Sequence, residues 1–172
     1  MKIESPHFTL ADVDAFLDEM QDHDRNLLAD RLERASGRLA QVGPLVMAGR
    51  GNGDWSNHEV LAHIAVLSKF YGVLVHRISS GKMTELNLLG NVNMRDVAGD
   101  QMAQLEPAEL LRMALADQAR TLELLRTAAP ASLRRVARIE DGSTMSAEEV
   151  ARLPLINHLE MHVDQLEKSL AR

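Results

Sequence analysis

Residues 153–170 read Leu-Pro-Leu-Ile-Asn-His-Leu-Glu-Met-His-Val-Asp-Gln-Leu-Glu-Lys-Ser-Leu. His158 and His162 stand four apart, which puts both imidazoles on one face of a helix, one turn from each other. Leu155, Leu159, Leu166 and Leu170 share that apolar stripe. Two histidines aimed into a core are either a satisfied polar pair or two-thirds of a metal site. The stretch is an amphipathic helix, and the same period recurs upstream, so the fold class follows from how many such helices the chain holds.

Moving back from this helix, Ser146 and Glu149 make a capping box, with Met145 placed to staple onto Val150. Pro154 interrupts or restarts the helix, since proline costs about 3 kcal/mol in a helix interior. Between 131 and 145, the alternation at Val136 and Arg138 and the Asp141-Gly142 turn predict a small hairpin. Arg134, Arg135 and Arg138 read as a solvated strand face rather than an anion site. Glu106-Pro107 opens a helix with proline at its first position, and Leu110, Leu111, Met113, Leu122 and Leu125 carry it to about Thr127.

Residues 82–105, with Asn87, Gly90, Asn91, Asn93 and Gly99, read as a long connection holding one short helix. Loops of this length are uncommon and often functional. Before it, Asp54-Trp55-Ser56-Asn57-His58-Glu59-Val60 is the sharpest helix start in the chain. Ser56 and Glu59 form a capping box, and Trp55 is placed to staple onto Val60. That helix runs through Leu61, His63, Ile64, Leu67, Phe70, Tyr71 and Leu74 to Ile78. His63 lies between Val60 and Leu67 on its inward stripe. Residues 43–54 form a glycine-rich loop whose spacing fits no phosphate-binding P-loop.

The first helical pattern starts at Thr9, with Asp12 in a box position and Phe8 placed against Val13. Its apolar stripe is Val13, Phe16, Leu17, Met20, Leu27, Leu28, Leu32, Ala35, Leu39 and Val42, ended by Gly43-Pro44. Gln21-Asp22-His23-Asp24 interrupts it, so one long helix and two shorter ones both fit. The sum is four amphipathic helices in one domain spanning residues 1–172. The fold class is all-α, a four-helix bundle with long connections at 81–105 and 128–145.

Composition narrows the function. The chain has 172 residues, no cysteine and a net charge of −6. A domain of this length buries about 70% of its unfolded surface and folds without disulfides. Without cysteine, any metal site must use His, Asp, Glu or water. The interspersed charges give no basic face for nucleic acid, and 3% aromatics are too few for base-stacking platforms. No apolar run reaches the ~18 residues of a membrane span, and Met-Lys-Ile-Glu-Ser-Pro-His lacks the apolar stretch of a signal peptide. The expectation is a cytoplasmic protein that binds a small molecule, with neither nucleic acid nor membrane as partner.

Three inward histidines on two helices need several hydrogen-bond partners if buried neutral, and the stripes offer few. A divalent cation satisfies all three at once. Three His ligands leave a tetrahedral metal one open position, the arrangement of a catalytic site. Imidazole suits zinc, nickel, iron and copper alike. The His-Glu-x-x-His motif of zinc proteases is absent, because position 159 is Leu. His58, in the first turn of its helix, is expected to be exposed. His76 is expected near the surface, and His7 and His23 in solvent. Asp164 and Gln165 read as surface residues or as supports of the ligands.

Trp55-Ser56-x-x-Glu59-x-x-x-His63, followed about 95 residues later by His158-x-x-x-His162-x-x-Gln165-Leu166, resembles the DinB/YfiT-like superfamily of metal-dependent enzymes. The resemblance covers nearly the whole chain. It implies an up-down-down-up four-helix bundle, usually homodimeric, with a divalent metal, often zinc or nickel, at one end. The family's three ligands fall on His63, His158 and His162. Characterised relatives are thiol-dependent: S-transferases using bacillithiol, mycothiol or glutathione, and the mycothiol-dependent maleylpyruvate isomerase. The mycothiol branch often has Glu where this chain has His158. The resemblance therefore implies thiol S-transferase-like chemistry or hydrolysis, with a low-molecular-weight thiol as cosubstrate. The other expectation is a non-catalytic, dimeric, stress-related metal-binding module. The sequence leaves open which catalytic residues act beyond the ligands, and whether Trp55, Asn91 or Arg95 lines the pocket.

Overall fold

The structure is a computed structural model that describes residues 9–51, 55–87, 90 and 101–171. Asn91, Arg95, His7 and Phe8 lie outside the described residues, and so do the expectations attached to them. Helix α1 spans Leu10–Val42, α2 Asn57–Ser79, α3 Pro107–Thr127 and the short α4 Pro130–Leu133. Helix α5, Ala147–Val150, passes through a π-helical segment, Ala151–Asn157, into α6, His158–Leu170. Strands β1 (Glu85–Leu86), β2 (Val136–Ile139) and β3 (Thr144–Ser146) form a small sheet beside the helices.

Three helix starts are set by reciprocal capping boxes: Thr9 with Asp12, Ser56 with Glu59, and Ser146 with Glu149. Each satisfies backbone N–H groups that have no partner inside the helix. Pro107 and Pro130 sit in the first turns of α3 and α4, where proline's missing N–H costs nothing.

Contacts between helices fix their directions. Arg126 reaches Asp30 and Glu33, while Gln118 meets Ser36, so α3 runs antiparallel to α1. Arg31 pairs with Glu160 and Arg38 with Glu167, so α6 runs parallel to α1. Gln118 donates to the Ser68 hydroxyl, and Gly72 lies against Thr121, so α2 and α3 are parallel. His63 meets His158, whereas Tyr71 and Leu74 share a cavity with Val150 and Leu153, so α2 and α6 are antiparallel. The result is an up-down-down-up four-helix bundle. Each of α1 and α2 packs on α3 and α6, and these two consecutive helices occupy opposite corners.

Helix α2 supplies the centre of the core. Leu61, Ile64, Leu67, Val75 and Ile78 are fully buried, packed with Leu28, Leu32 and Leu39 of α1, Leu110 and Leu125 of α3, and Ile156, Leu159 and Leu166 of the last helix. By length and composition, α2 is apolar enough to cross a membrane, which the composition reading did not anticipate. Two-thirds of that apolar window, 67%, is buried inside the bundle, and its place at the centre accounts for its composition.

Five details differ from the sequence reading or settle it. The polar patch at 21–24 does not break α1, which is one helix of 33 residues. Its first half is not core: Leu10, Val13, Phe16, Leu17 and Met20 are between 42% and 78% exposed. The hairpin forms as expected, with Val136 opposite Ser146 and Gly142 at φ 88° in the turn, a value that favours glycine. The unexpected element is β1, which pairs in parallel with β2 from inside the first long connection, Glu85 opposite Arg138. Pro154 interrupts the α-helical pattern, as expected, without ending the helix. The wider π-helical turn carries the chain past the proline, which lacks an N–H and would crowd the carbonyl four residues back in an α-helix.

Candidate metal centre

The start of α2 is tied down before it delivers its histidine. One carboxylate oxygen of Glu59 accepts from the backbone N–H of Ser56 at 2.8 Å and from that of Gly51 at 2.9 Å. These bonds hold the Glu59 carboxyl below the usual glutamate value, the Ser56 N–H contributing most. They also fasten the glycine-rich loop to the helix.

His58 makes a second tie and corrects the expectation that it is exposed. It is 7% exposed. Its Nδ1 accepts from the Gly49 N–H at 3.2 Å, and its Nε2 lies 2.7 Å from the Leu105 carbonyl, to which it donates. The imidazole thus bridges the loop before α2 to the segment before α3, and both nitrogens are consumed by backbone. A position count along α2 misses this, because the covering segments come from outside the helix. His23 and His76 are exposed, as expected. Arg135 and Arg138 are exposed, as expected, while Arg134 is half-buried; Arg134 also pairs with Asp18, and Arg135 donates to the Ser79 carbonyl, so these two arginines tie neighbouring elements together as well.

Five residues after His58, His63 meets the α6 pair. Its Nε2 is 3.3 Å from the Nε2 of His158. One ring nitrogen from each of His63, His158 and His162 lies within 4.8 Å of the others. Ring centroids stand 5.0 Å apart for His63–His158, 4.8 Å for His63–His162 and 4.7 Å for His158–His162. The structure therefore brings all three expected residues together from segments 95 positions apart.

The third ring is the most informative. His162 is buried, and its Nδ1 lies 3.0 Å from the Gln165 side-chain oxygen. A carbonyl oxygen only accepts, so Nδ1 carries the proton and Nε2 carries a lone pair. That Nε2 is buried with no hydrogen-bond partner among the described residues. Burial holds the His162 pKa below its ordinary value, against a smaller opposite effect of the Gln165 bond. A neutral imidazole with an orphaned inward lone pair, its far nitrogen fixed by an outer partner, is the state a metal ligand needs.

The donor set fits a divalent cation. With metal–nitrogen bonds of about 2.0–2.1 Å, the edge of a tetrahedron is about 3.3 Å, and the His63–His158 separation is 3.3 Å. The carboxylates nearest in sequence are engaged elsewhere: Glu59 in its capping box, Glu160 with Arg31 and Asp164 with Arg38.

Trp55 is the residue whose place the sequence left open. Its ring centroid lies 4.9 Å from that of His63, and 6.2 Å from that of His162 at an interplanar angle of 26°. It covers two of the three imidazoles while remaining 55% exposed. The signal was its position one residue before the Ser56 cap, which the staple motif assigned to packing alone. One turn past His162, a groove of about 420 Å³ is lined by Met161, Asp164, Gln165, Lys168 and Ser169, so the Gln165 that supports His162 also faces an open surface.

The sequence profile of the DinB superfamily matches residues 8–166. The chain belongs to the DinB superfamily. Among solved structures, this DinB-superfamily chain is similar to YfiT from Bacillus subtilis, described as a probable metal-dependent hydrolase with an unusual four-helix bundle topology. The identity is 15% and the TM-score 0.66, over 86% of this chain and 87% of that one. It is also similar to the mycothiol-dependent maleylpyruvate isomerase, at 16% identity and a TM-score of 0.60, over 87% of this chain. The match spans 61% of the isomerase. At such identities the likeness shows a shared fold. No curated protein matches the sequence.

Proposed function

We propose that this DinB-superfamily chain is a divalent-metal-dependent enzyme whose ligands are His63, His158 and His162, acting by thiol-dependent group transfer on a small electrophile. The observation that carries the reading is the buried Nε2 lone pair of His162, aimed at two further imidazoles and without a partner among the described residues. Such an atom is costly to bury unless something binds it. A bound zinc or nickel ion supplies a Lewis acid that holds a thiol as its thiolate at neutral pH or lowers the pKa of a water.

The chain's own residues do the rest. The Gln165 bond fixes the His162 tautomer, so its Nε2 presents a lone pair towards the other two rings. The capping box and the Glu59–Gly51 bond hold the first turn of α2, and with it the approach of His63, in place. Trp55 covers part of the cluster and limits water at that side. Thiol transfer is favoured over hydrolysis by one feature. Glu59, Glu160 and Asp164 are held by other partners and are poorly placed to take a proton from water, whereas a thiol starts far more acidic than water and leans less on a base. The hydrolytic reading draws support from the description of YfiT and uses the same site.

The cosubstrate in this reading is a low-molecular-weight thiol, the compartment is the cytoplasm, and the assembly is a homodimer. The dimer has support in the exposed apolar face of α1, since contiguous apolar patches of this kind mark interaction surfaces.

The deciding experiment is a zinc or nickel titration against a chromophoric chelator. One ion per chain is expected for the wild type, and loss of that ion in His162→Ala. Unchanged tight stoichiometry in the variant removes the proposed site.

A further inference from the structure

We propose that the outward surface of the Trp55 indole is a platform on which the organic group of the bound ligand stacks. Trp55 then determines specificity in favour of planar, unsaturated groups. This inference rests on the metal reading above and assigns a substrate class to that same site.

Three observations carry it. First, Trp55 packs against imidazoles from two different helices, tilted by 53° over His63 and at 26° to the plane of His162. Its position is therefore referenced to the cluster and not to a single helix. Second, the ring remains 55% exposed despite these contacts. It is the chain's only tryptophan among very few aromatic residues, and a filler side chain would be buried. An aromatic ring with one side on the ligand cluster and the rest open to solvent offers a π surface to whatever joins the three imidazoles. Third, the backbone next to the indole is anchored. The backbone N–H of the next residue, Ser56, is bonded to Glu59, which also holds Gly51, so the platform is set before a ligand arrives. Stacking and edge-to-face contacts on an indole favour aromatic partners over saturated ones of equal size.

The test uses the full chain loaded with cobalt(II), whose sulfur-to-metal charge-transfer band reports thiolate binding directly and needs no turnover. Benzyl mercaptan and cyclohexylmethanethiol are titrated into the wild type, Trp55→Leu and Trp55→Phe. The intrinsic difference between the two thiols cancels when their affinity ratios are compared across variants. The expected result is a benzyl preference about three- to tenfold larger in the wild type than in Trp55→Leu, the scale of an aromatic pair. Trp55→Phe should retain part of it, with cobalt affinity near that of the wild type in both variants. Equal ratios in the wild type and Trp55→Leu overturn the platform. Loss of cobalt from Trp55→Leu also overturns it, because the indole is then a prop for the histidines. Failure of the wild type to take up cobalt is a separate readout, and it rejects the underlying metal site.

Discussion

The Nδ1–H of His162 donates to the side-chain oxygen of Gln165 at 3.0 Å, one turn along the same helix. That bond decides which nitrogen faces His63 and His158. Replacing Gln165 by Leu frees the tautomer and the ring, and metal affinity should fall by about 10- to 100-fold, the usual effect of losing such an outer partner. Gln165→Glu, whose carboxylate accepts the same proton, should keep most of it. Competition against a chelator of known affinity measures both, and an unchanged constant in Gln165→Leu contradicts the role.

Glu59 links stability to acid. Its folded pKa is lowered from 4.5, so the unfolded chain binds a proton more readily. The stabilisation is fully present above about 4.5 and is lost as pH falls through the lower folded value. Glu59→Gln keeps an acceptor for the Ser56 N–H but does not titrate. Urea unfolding between pH 3 and 6 should give a flatter profile for the variant than for the wild type. Parallel profiles would show that other carboxylates carry the acid sensitivity.

Helices α2 and α3 approach each other closely at Gly72. A Cβ there would lie 2.5 Å from the Thr121 hydroxyl oxygen, and Thr121 is buried. Gly72→Ala should therefore destabilise by about 1–3 kcal/mol through overpacking, even though alanine gains about 1 kcal/mol of helix propensity. Adding Thr121→Ala should recover much of the loss. A double-mutant cycle by urea denaturation tests this, and strict additivity would rule out the contact as the cause.

The exposed apolar residues on the first half of α1 give a prediction about assembly. Leu17→Glu, at a position that bonds to nothing essential in the site, should convert the proposed dimer to a monomer by light scattering while the helical circular dichroism is retained. A wild-type monomer at micromolar concentration would remove the dimer proposal.

Much of this structure is legible from local chemistry, because its helix starts are unusually explicit. Ser-x-x-Glu occurs where α2 and α5 begin, and both boxes form. The stripe carrying His63 and the i, i+4 pair His158 and His162 places three rings on inward faces, and the bundle makes those faces meet. What could not be read depends on segments distant in sequence. His58 is buried by Gly49 and Leu105, which no helical period reveals. β1 exists only because β2 lies beside it. The first turns of α1 have a core-like pattern, yet their apolar side chains stay exposed, and a helical period alone does not say which stripe is covered. Pro154 breaks the local rule, and the helix absorbs it by widening instead of stopping.

The parallel pairing of α1 with α6 and of α2 with α3 has a kinetic consequence. Parallel neighbours cannot be joined by tight turns, so long stretches of chain must close before either pair docks, and such topologies fold more slowly than nearest-neighbour bundles. His63 and His158 are 95 positions apart and meet only once that closure is complete. On the proposed metal reading, the cation would arrive at a finished cage and would not template it: refolding should proceed at the same rate with metal present, while escape from the native state slows.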